Sequence, residues 1–129
     1  MANLAASSLE NNCELSTKPI NQDCPVSTAI EVIGGKWKVI ILYQLRGKTL
    51  RFGELKRLIP KITQKTLTQQ LRDLEKDKLI ERTVYAEVPP RVEYTPTELA
   101  EQLNSALDLL CAWGAKYQAA HGDIWPRKS

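Results

Sequence analysis

Thr63–Leu79, TQKTLTQQLRDLEKDKL, is the stretch that decides the fold of this chain. At about 100° per residue, Leu67, Leu71 and Leu74 fall on one side of a helix. A threonine hydroxyl caps the amino end of the stretch, and the turn Lys76-Asp77-Lys78 closes its carboxyl end. The sequence therefore predicts one amphipathic helix, and its leucine face is expected to pack into a protein core.

The outer face of this predicted helix is polar. It carries cations, amides and hydroxyls, which are the groups that contact phosphates and base edges in the major groove of DNA. Its residues are Lys65, Gln69, Arg72 and Lys76, flanked by Thr66 and Thr68. An ordinary solvated helix face has the same composition, so the neighbouring sequence has to separate a DNA-binding helix from a surface helix.

The charge of the chain is unevenly distributed. The 129 residues carry a formal net charge of +3. Residues 34–91 contain 14 Lys and Arg against 6 Asp and Glu, whereas the two flanks together contain 4 against 9. A basic central segment of this kind favours a polyanionic partner. The length allows one domain with a hydrophobic core and short tails.

Two helices are predicted in the first third of the chain. The first begins at Pro25, because the missing N–H of proline costs nothing in a first turn, and it ends at Gly34-Gly35. The second, Lys36–Leu45, is so apolar that most of it is expected to be buried. Its predicted core residues are Trp37, Ile40, Ile41 and Leu45.

A further short helix lies directly ahead of the quoted stretch. Thr49-Leu50-Arg51 predicts a short strand, and Phe52–Ile59 predicts a two-turn helix ended by Pro60. Its expected core residues are Phe52, Leu55 and Leu58. With Pro60-Lys61 as the turn, this helix and the helix in Thr63–Leu79 form a helix-turn-helix unit.

A hairpin is predicted after the helix-turn-helix. Ile80–Tyr85 and Arg91–Tyr94 alternate apolar and polar residues, and Ala86–Pro90 forms the tip between them. A helix-turn-helix followed by a hairpin is the order of a winged helix, in which the hairpin reaches the DNA backbone or minor groove. Arg82 and Arg91 are its candidate contacts, and a plain surface hairpin is the alternative interpretation.

The segment Thr95-Pro96-Thr97-Glu98 predicts the start of a long helix. Thr95 is the expected cap, Pro96 the first helical residue and Glu98 the third, as in a capping box. The helix is expected to extend to about Ala120. One apolar stripe contains Leu99, Leu103, Leu107, Leu110, Gly114 and Tyr117, and a second contains Ala106, Leu109 and Trp113. We interpret the second stripe as a subunit interface, because it would otherwise form a large apolar patch. Coverage by the amino-terminal arm is the alternative.

Six motifs then follow one another in order along the chain. They are Cys24-Pro25-Val26, Ile33-Gly34-Gly35-Lys36-Trp37, Arg51-Phe52-Gly53-Glu54-Leu55, Leu67-Thr68-Gln69-Gln70-Leu71-Arg72-Asp73-Leu74-Glu75, Glu87-Val88-Pro89-Pro90-Arg91-Val92-Glu93-Tyr94 and Trp113-Gly114. Together they resemble the HxlR-type bacterial transcription regulators, a branch of the winged-helix proteins near the MarR group. The likeness covers about Cys24 to Tyr117. Two departures occur: Lys78 stands where the family often has glycine, and Thr95–Ala100 replaces a leucine-threonine-x-x-glycine form.

The resemblance implies a mainly α (α+β) fold. The expected architecture is a winged helix-turn-helix with a two-stranded wing and a long carboxy-terminal dimerisation helix, and dimerisation would use the first and last helices. The expected organisation is a flexible arm at residues 1–21, an HxlR-type domain at 22–121, and a tail at 122–129 that contains Trp125.

The resemblance also implies a function. The chain is expected to be a bacterial, homodimeric, sequence-specific DNA-binding transcriptional regulator. Two-fold symmetry then predicts a pseudo-palindromic operator of double-stranded DNA. Repression is the expected mode, because a compact dimer without a visible activation surface acts most simply by occupying a promoter. Groove contacts are expected from Lys65, Thr66, Thr68, Gln69 and Arg72, with Arg72 suited to guanine and Gln69 to adenine. Phosphate contacts are expected from Lys36, Lys38, Arg51, Lys61, Lys76 and Arg91.

The three cysteines suggest a sensor. Cys24 directly precedes the first predicted helix, where backbone N–H groups and the helix dipole favour a thiolate. A cysteine at this position is typical of the family, and several members resemble sensors of small electrophiles or oxidants. The alternative is that Cys24 is a packed, small apolar residue. Cys13 is a candidate resolving partner in the arm, and Cys111 is expected to be structural.

Other classes of function find little support. His121 is the only histidine, and the cysteines lack the paired spacing of a zinc site, so we expect no enzyme activity, no metal and no cofactor. No apolar run approaches the roughly 20 residues of a membrane span, which predicts a cytoplasmic protein without a membrane partner. Two alternatives stay open: a winged-helix module that binds a protein, and a regulator that responds to a ligand instead of thiol chemistry.

Overall fold

The computed structural model describes residues 24–122. The expectations for the arm, for Cys13 and for Trp125 lie outside those residues. Along the chain the elements are α1 (Pro25–Ile33), α2 (Trp37–Leu45), β1 (Leu50–Arg51), α3 (Phe52–Leu58), α4 (Gln64–Lys76), β2 (Ile80–Tyr85), β3 (Arg91–Pro96), α5 (Glu98–Glu101) and α6 (Asn104–His121). None of the helices in this part of the chain is long and apolar enough to cross a membrane.

The core confirms the periodicity of the decisive stretch. Leu67, Leu71 and Leu74 of α4 are all buried. Burial of a leucine side chain contributes roughly 1.5–3 kcal/mol, so these residues fix the rotation of α4 about its axis. The other buried apolar residues come from every layer: Ile41, Leu42, Leu45, Leu55, Ile59, Ile62, Leu79, Ile80, Tyr94, Ala100 and Leu107.

The first two helices form where they were expected. Proline occupies the first turn of α1, and Gly34 is its C-cap. A Cβ atom at Gly34 would collide with the carbonyl oxygen of Ile30, and Gly35 has a φ of +87°. These two backbone requirements explain why the connection between α1 and α2 is a pair of glycines.

The predicted wing is present, and a third strand extends it. β2 and β3 are antiparallel and pair from Ile80 with Pro96 to Tyr85 with Arg91. Strand β1 pairs with the other edge of β3, placing Leu50 opposite Tyr94. The sheet order is β1-β3-β2, which ties the start of α3 to the base of the wing.

The prediction that Leu58 of α3 lies in the core is wrong. Leu58 is 44% exposed, whereas Ile59 and Ile62 are buried. The prediction assumed a helix through Ile59, but α3 ends at Leu58 and Ile59 has a φ of −126° and a ψ of 72°. Because the chain leaves the helix there, Ile59 turns into the core in place of Leu58.

The predicted start of the long helix is also wrong. Strand β3 extends to Pro96, and Thr97 is the cap, since its Oγ1 accepts a hydrogen bond from the backbone N–H of Ala100 at 3.2 Å. Thr95 lies in the strand opposite Glu81. The helix itself is divided into α5 and α6 at Gln102 and Leu103. Pairing with β2 holds Thr95 and Pro96 extended, so capping moves two residues along the chain.

Candidate nucleic-acid interface

Helix α4 begins at a well-formed cap. The Thr63 Oγ1 atom accepts the backbone N–H of Thr66 at 3.1 Å, as expected for an N-cap threonine. The turn between α3 and α4 is short, and Ile62 within it is buried. The two helices therefore form the predicted helix-turn-helix, in which the leucine face of α4 fixes the direction of its polar face.

The polar face of α4 combines unpaired cations with hydroxyls and an amide. Lys65, Arg72 and Lys76 are exposed and form no ion pair with any other residue in the range 24–122. The hydroxyl of Thr68 donates to the carbonyl oxygen of Gln64 at 2.9 Å, and Thr66 Oγ1 accepts from Thr63 Oγ1 at 2.9 Å. The threonines thus retain acceptor capacity, while the cations remain available to an anion.

Gln69 and Lys38 both contact one acid on α4. The Nε2 atom of Gln69 donates to Oδ1 of Asp73 at 3.0 Å. Lys38 Nζ, from α2, lies 3.9 Å from Oδ2 of the same carboxylate. Sequence reasoning overlooked Asp73, although its spacing of four residues from Gln69 on a helix is a known signal for side-chain contact.

The other predicted phosphate contacts lie around the helix-turn-helix. Lys61 is exposed in the turn before α4, and Arg51 is exposed directly before α3. The ammonium of Lys36 lies 4.6 Å from the centre of the Trp37 ring at the start of α2. These three positions remain predictions as phosphate contacts. Arg51 and Lys61 are exposed, and neither cation lies over an aromatic ring among the described residues.

Arg91 is already engaged within the wing. Its guanidinium lies 3.4 Å from a carboxylate oxygen of Glu87 and 3.6 Å from one of Glu93. It also stacks over Tyr85, 4.0 Å from the ring centre. A phosphate would have to compete with two carboxylates for this side chain. Arg82 is exposed on β2 and has no ion pair within the described residues, which makes it the more accessible cation of the wing.

The wing is joined to the end of α4. Lys78 has a φ of +64°, in the left-handed region that favours glycine and costs other residues about 1–2 kcal/mol. The hydroxyl of Thr97 donates to the carbonyl oxygen of Lys78 at 2.8 Å. The N–H of Leu79 donates to the carbonyl oxygen of Leu74 at 2.9 Å, so α4, the wing and α5 meet at one point.

One cation of the basic segment, Arg46, does not belong to the polar face of α4. Arg46, at the end of α2, forms an ion pair with Asp108 of α6 and lies 4.4 Å from the centre of the Tyr43 ring. The hydrogen bond to Asp108 raises the pKa of Arg46. This contact joins α2 to α6, so Arg46 belongs to the support of the long helix.

Large apolar side chains are exposed on both α1 and α6, and together they are called the apolar surface of α1 and α6. Leu109 and Trp113 of the second predicted stripe are 72% and 62% exposed. Leu110 on the same helix and Val26 and Ile30 on α1 are also exposed. No described residue covers this surface, which is unusual for a monomer and typical of an interaction site.

A cavity of about 300 Å³ lies between α1 and the start of the long helix. Its walls are almost wholly apolar and are formed by Ala29, Val32, Ile33, Leu79, Leu99, Gln102 and Leu103. Its volume is at the lower end of the range for small-molecule sites. Through Leu79 its wall is continuous with the junction of α4 and the wing.

Two cysteines lie in the described part of the chain. Cys24 is half-buried at the N-cap of α1, and its carbonyl oxygen accepts the N–H of Thr28 at 3.0 Å. Cys111 is exposed on α6, and neither residue forms a disulfide with the other. Cys24 therefore directly precedes the first helix, as the sequence predicted.

The fold and the exposed basic helix define the class of this protein as a winged helix-turn-helix transcriptional regulator. Residues 32–122 match the family model for the HxlR-like helix-turn-helix, and the chain belongs to this family. It is 54% identical over 101 residues to the HTH-type transcriptional regulator YtcD of Bacillus subtilis, covering 78% of this chain and 80% of that protein.

Solved structures give the same assignment. The chain superposes with a TM-score of 0.73 on a protein from Porphyromonas gingivalis W83 described as a MarR-family transcriptional regulator, with 39% identity, covering 76% of this chain and 96% of that one. The reduced form of the redox regulator HypR gives a TM-score of 0.70 at 44% identity, covering 73% of this chain and 93% of that one. Both structures are described as regulators, in agreement with the family of this chain.

Proposed function

We propose that this chain is a cytoplasmic, sequence-specific DNA-binding repressor that acts as a homodimer on a pseudo-palindromic operator. The observation that carries the proposal is the polar face of α4, on which Lys65, Arg72 and Lys76 are exposed without intramolecular ion pairs in the described chain. A buried leucine face directs them outward, and membership of the HxlR-like helix-turn-helix family supports DNA as their partner. Repression follows from simple occupation of a promoter.

The dimer is supported by the apolar surface of α1 and α6. Two subunits related by a two-fold axis would place their α4 helices in successive major grooves, about 34–36 Å apart. Each operator half-site would then be read by one copy of α4, with the wing beside it on the backbone. The contacts proposed for the groove are those of Lys65, Thr66, Thr68, Gln69 and Arg72.

Selection from a library of randomised DNA duplexes tests this proposal. We expect the reduced protein to enrich a two-fold symmetric sequence whose half-sites are about 10–10.5 base pairs apart, centre to centre. A pool that stays random after several rounds would contradict sequence-specific binding. A single, unsymmetric half-site would retain DNA binding and contradict the dimer.

We further propose that Cys24 makes the regulator responsive to oxidants or electrophiles. Its place at the start of α1, next to the proposed interface, supports this role. Similarity to HypR, which is described as a redox regulator and has been solved in oxidised and reduced forms, gives the second support. In the disulfide form of the response, two thiols lose two electrons and two protons to the oxidant, and one S–S bond joins them.

Labelling of the reduced protein with iodoacetamide, followed by intact mass and peptide mapping, tests the sensor role. We expect Cys24 to react faster than the free thiol N-acetylcysteine at neutral pH, because a helix N-terminus favours the thiolate. Cys24→Ser should abolish any loss of operator binding on treatment with diamide, whereas Cys111→Ser should not. A Cys24 that reacts no faster than the model thiol would remove the sensor role and leave the DNA-binding proposal intact.

A ligand-responsive regulator is the second candidate. The 300 Å³ cavity favours it, because Leu79 in its wall belongs to the junction of α4 with the wing. A small apolar molecule bound there would contact α1, α5 and that junction together, and so would act on the position of the recognition helix without any thiol chemistry.

A further inference from the structure

We propose that Asp73 is a positioning residue for DNA reading, which sets the hydrogen-bonding pattern that Gln69 presents to a base pair. The inference rests on the proposed DNA-binding function and deepens it. It assigns to an acidic residue on a basic helix a role in sequence preference, where its charge alone would only oppose the approach of phosphates.

The contact between the two side chains determines which way the Gln69 amide faces. An ionised carboxylate has no proton to donate and only accepts hydrogen bonds. The amide of glutamine has a donor end and an acceptor end that differ only by a half-turn rotation. Since Gln69 Nε2 lies 3.0 Å from Asp73 Oδ1, the donor end faces Asp73 and the carbonyl oxygen faces away.

The carboxylate is itself held in place from a second helix. Lys38 Nζ lies 3.9 Å from Oδ2, the oxygen that Gln69 does not use. The side chain of Lys38 is only 18% exposed, so this pair lies against the packing of α2 on α4. Lys38 therefore offsets the negative charge of Asp73 and limits its rotation, which is a different role from the phosphate contact expected for it.

The consequence is a defined pattern at the surface of α4. Gln69 presents an acceptor oxygen together with its remaining N–H, the pattern that complements N6–H and N7 of adenine in the major groove. Rotation of the amide would exchange donor and acceptor and point the oxygen at a carboxylate. Asp73 thereby disfavours the base pairs that the rotated amide would suit.

Asp73→Asn tests this role, because asparagine has the same shape and can either accept or donate. The position read by Gln69 is first identified from selected duplexes as the base pair whose preference Gln69→Ala removes. At that pair we expect the wild-type protein to prefer adenine by about 5- to 150-fold, and Asp73→Asn to reduce the preference to within about 3-fold. Preferences at other base pairs should be unchanged.

The matched control is Asp77→Asn. Asp77 is the C-cap of α4, so the substitution removes the same charge from the same helix without touching Gln69. We expect it to strengthen binding to all duplexes, as Asp73→Asn also should, but to leave the adenine preference intact. In a Gln69→Ala background, Asp73→Asn should change no base preference, since there is no amide left to orient.

Three results would overturn the inference. The first is an adenine preference that does not depend on Gln69, and the second is an adenine preference that survives in Asp73→Asn. The third is an equal loss of preference at all base pairs in Asp73→Asn, which is the mark of a structural role. A wild-type protein that selects no sequence at all would overturn the proposed function as well, so the two failures are distinguishable. Thermal melting of each variant confirms that it is folded before its preferences are compared.

Discussion

We expect Leu109→Glu to convert the proposed dimer into a monomer and to lower the affinity for the proposed operator by about 10²–10⁴-fold, the range over which linking two binding modules raises avidity. Leu109 is 72% exposed on α6 and lies about one helical turn before the exposed Trp113. In a dimer a carboxylate at this position would be desolvated without a partner, which a subunit interface does not tolerate. In the monomer it would face water, so folding of the subunit is preserved.

Light scattering after size-exclusion chromatography measures the first effect, and operator binding measures the second. Gln118→Glu is the matched control, because Gln118 is exposed on the same helix and lies on the side opposite Leu109. It adds the same carboxylate outside the proposed interface and should leave a dimer with unchanged affinity. A dimeric Leu109→Glu protein would show that the subunits meet through another surface.

We expect Arg72→Ala to weaken specific binding by about 1–3 kcal/mol, because Arg72 is proposed to contact a base. Arg72 is exposed in the middle of α4 and is not held by any acid in the described chain, in contrast to Arg46 and Arg91. The loss should fall on the operator much more than on a shuffled duplex, because a base contact is made only at the correct sequence.

Titration of both duplexes by fluorescence anisotropy separates the roles of this arginine. Equal losses on operator and shuffled DNA would make Arg72 a phosphate contact, and an unchanged operator affinity would remove it from the interface. Lys48→Ala serves as the control for charge. It removes one cation from the turn that follows α2, where the nearby Arg46 pairs with Asp108 of α6. We expect both affinities to change little.

The parts of the fold that sequence predicts well are those in which several local signals agree. For α4 a cap at Thr63, a leucine period and a polar face all indicate the same helix, and its buried residues match the prediction. The connection Gly34-Gly35 is another such case, because its backbone requirements leave little choice but glycine. At these sites tertiary contacts reinforce the local preference.

The errors arose where a distant contact chooses between similar local options. Thr95 and Thr97 are both followed by residues that suit a helix start, and only the pairing of Pro96 with Ile80 decides for Thr97. The burial of Ile59 in place of Leu58 depends on where α3 ends. The strand pairing has no signature in the neighbouring sequence, whereas Pro60 signals that Ile59 leaves the helix, because the residue before a proline disfavours helical φ and ψ.

The candidate site was predicted in composition but not in its internal contacts. Sequence identified the cations and amides of α4, since a helix period is enough to place them on one face. It did not show that Glu87 and Glu93 surround Arg91, although Glu93 lies two residues further along the same strand and therefore on the same face. It also missed that Lys38 reaches Asp73 from another helix, which requires the packing of α2 on α4.

Fluorescence anisotropy with the selected operator and a shuffled duplex of equal length, over a series of salt concentrations, tests sequence-specific binding most directly. We expect the reduced protein to bind the operator about 10³-fold or more tightly than the shuffled duplex. The logarithm of the association constant should fall linearly with the logarithm of salt concentration, with a slope of about −0.9 per phosphate contacted. Equal, weak binding to both duplexes would contradict a sequence-specific regulator and favour a winged helix that binds a protein.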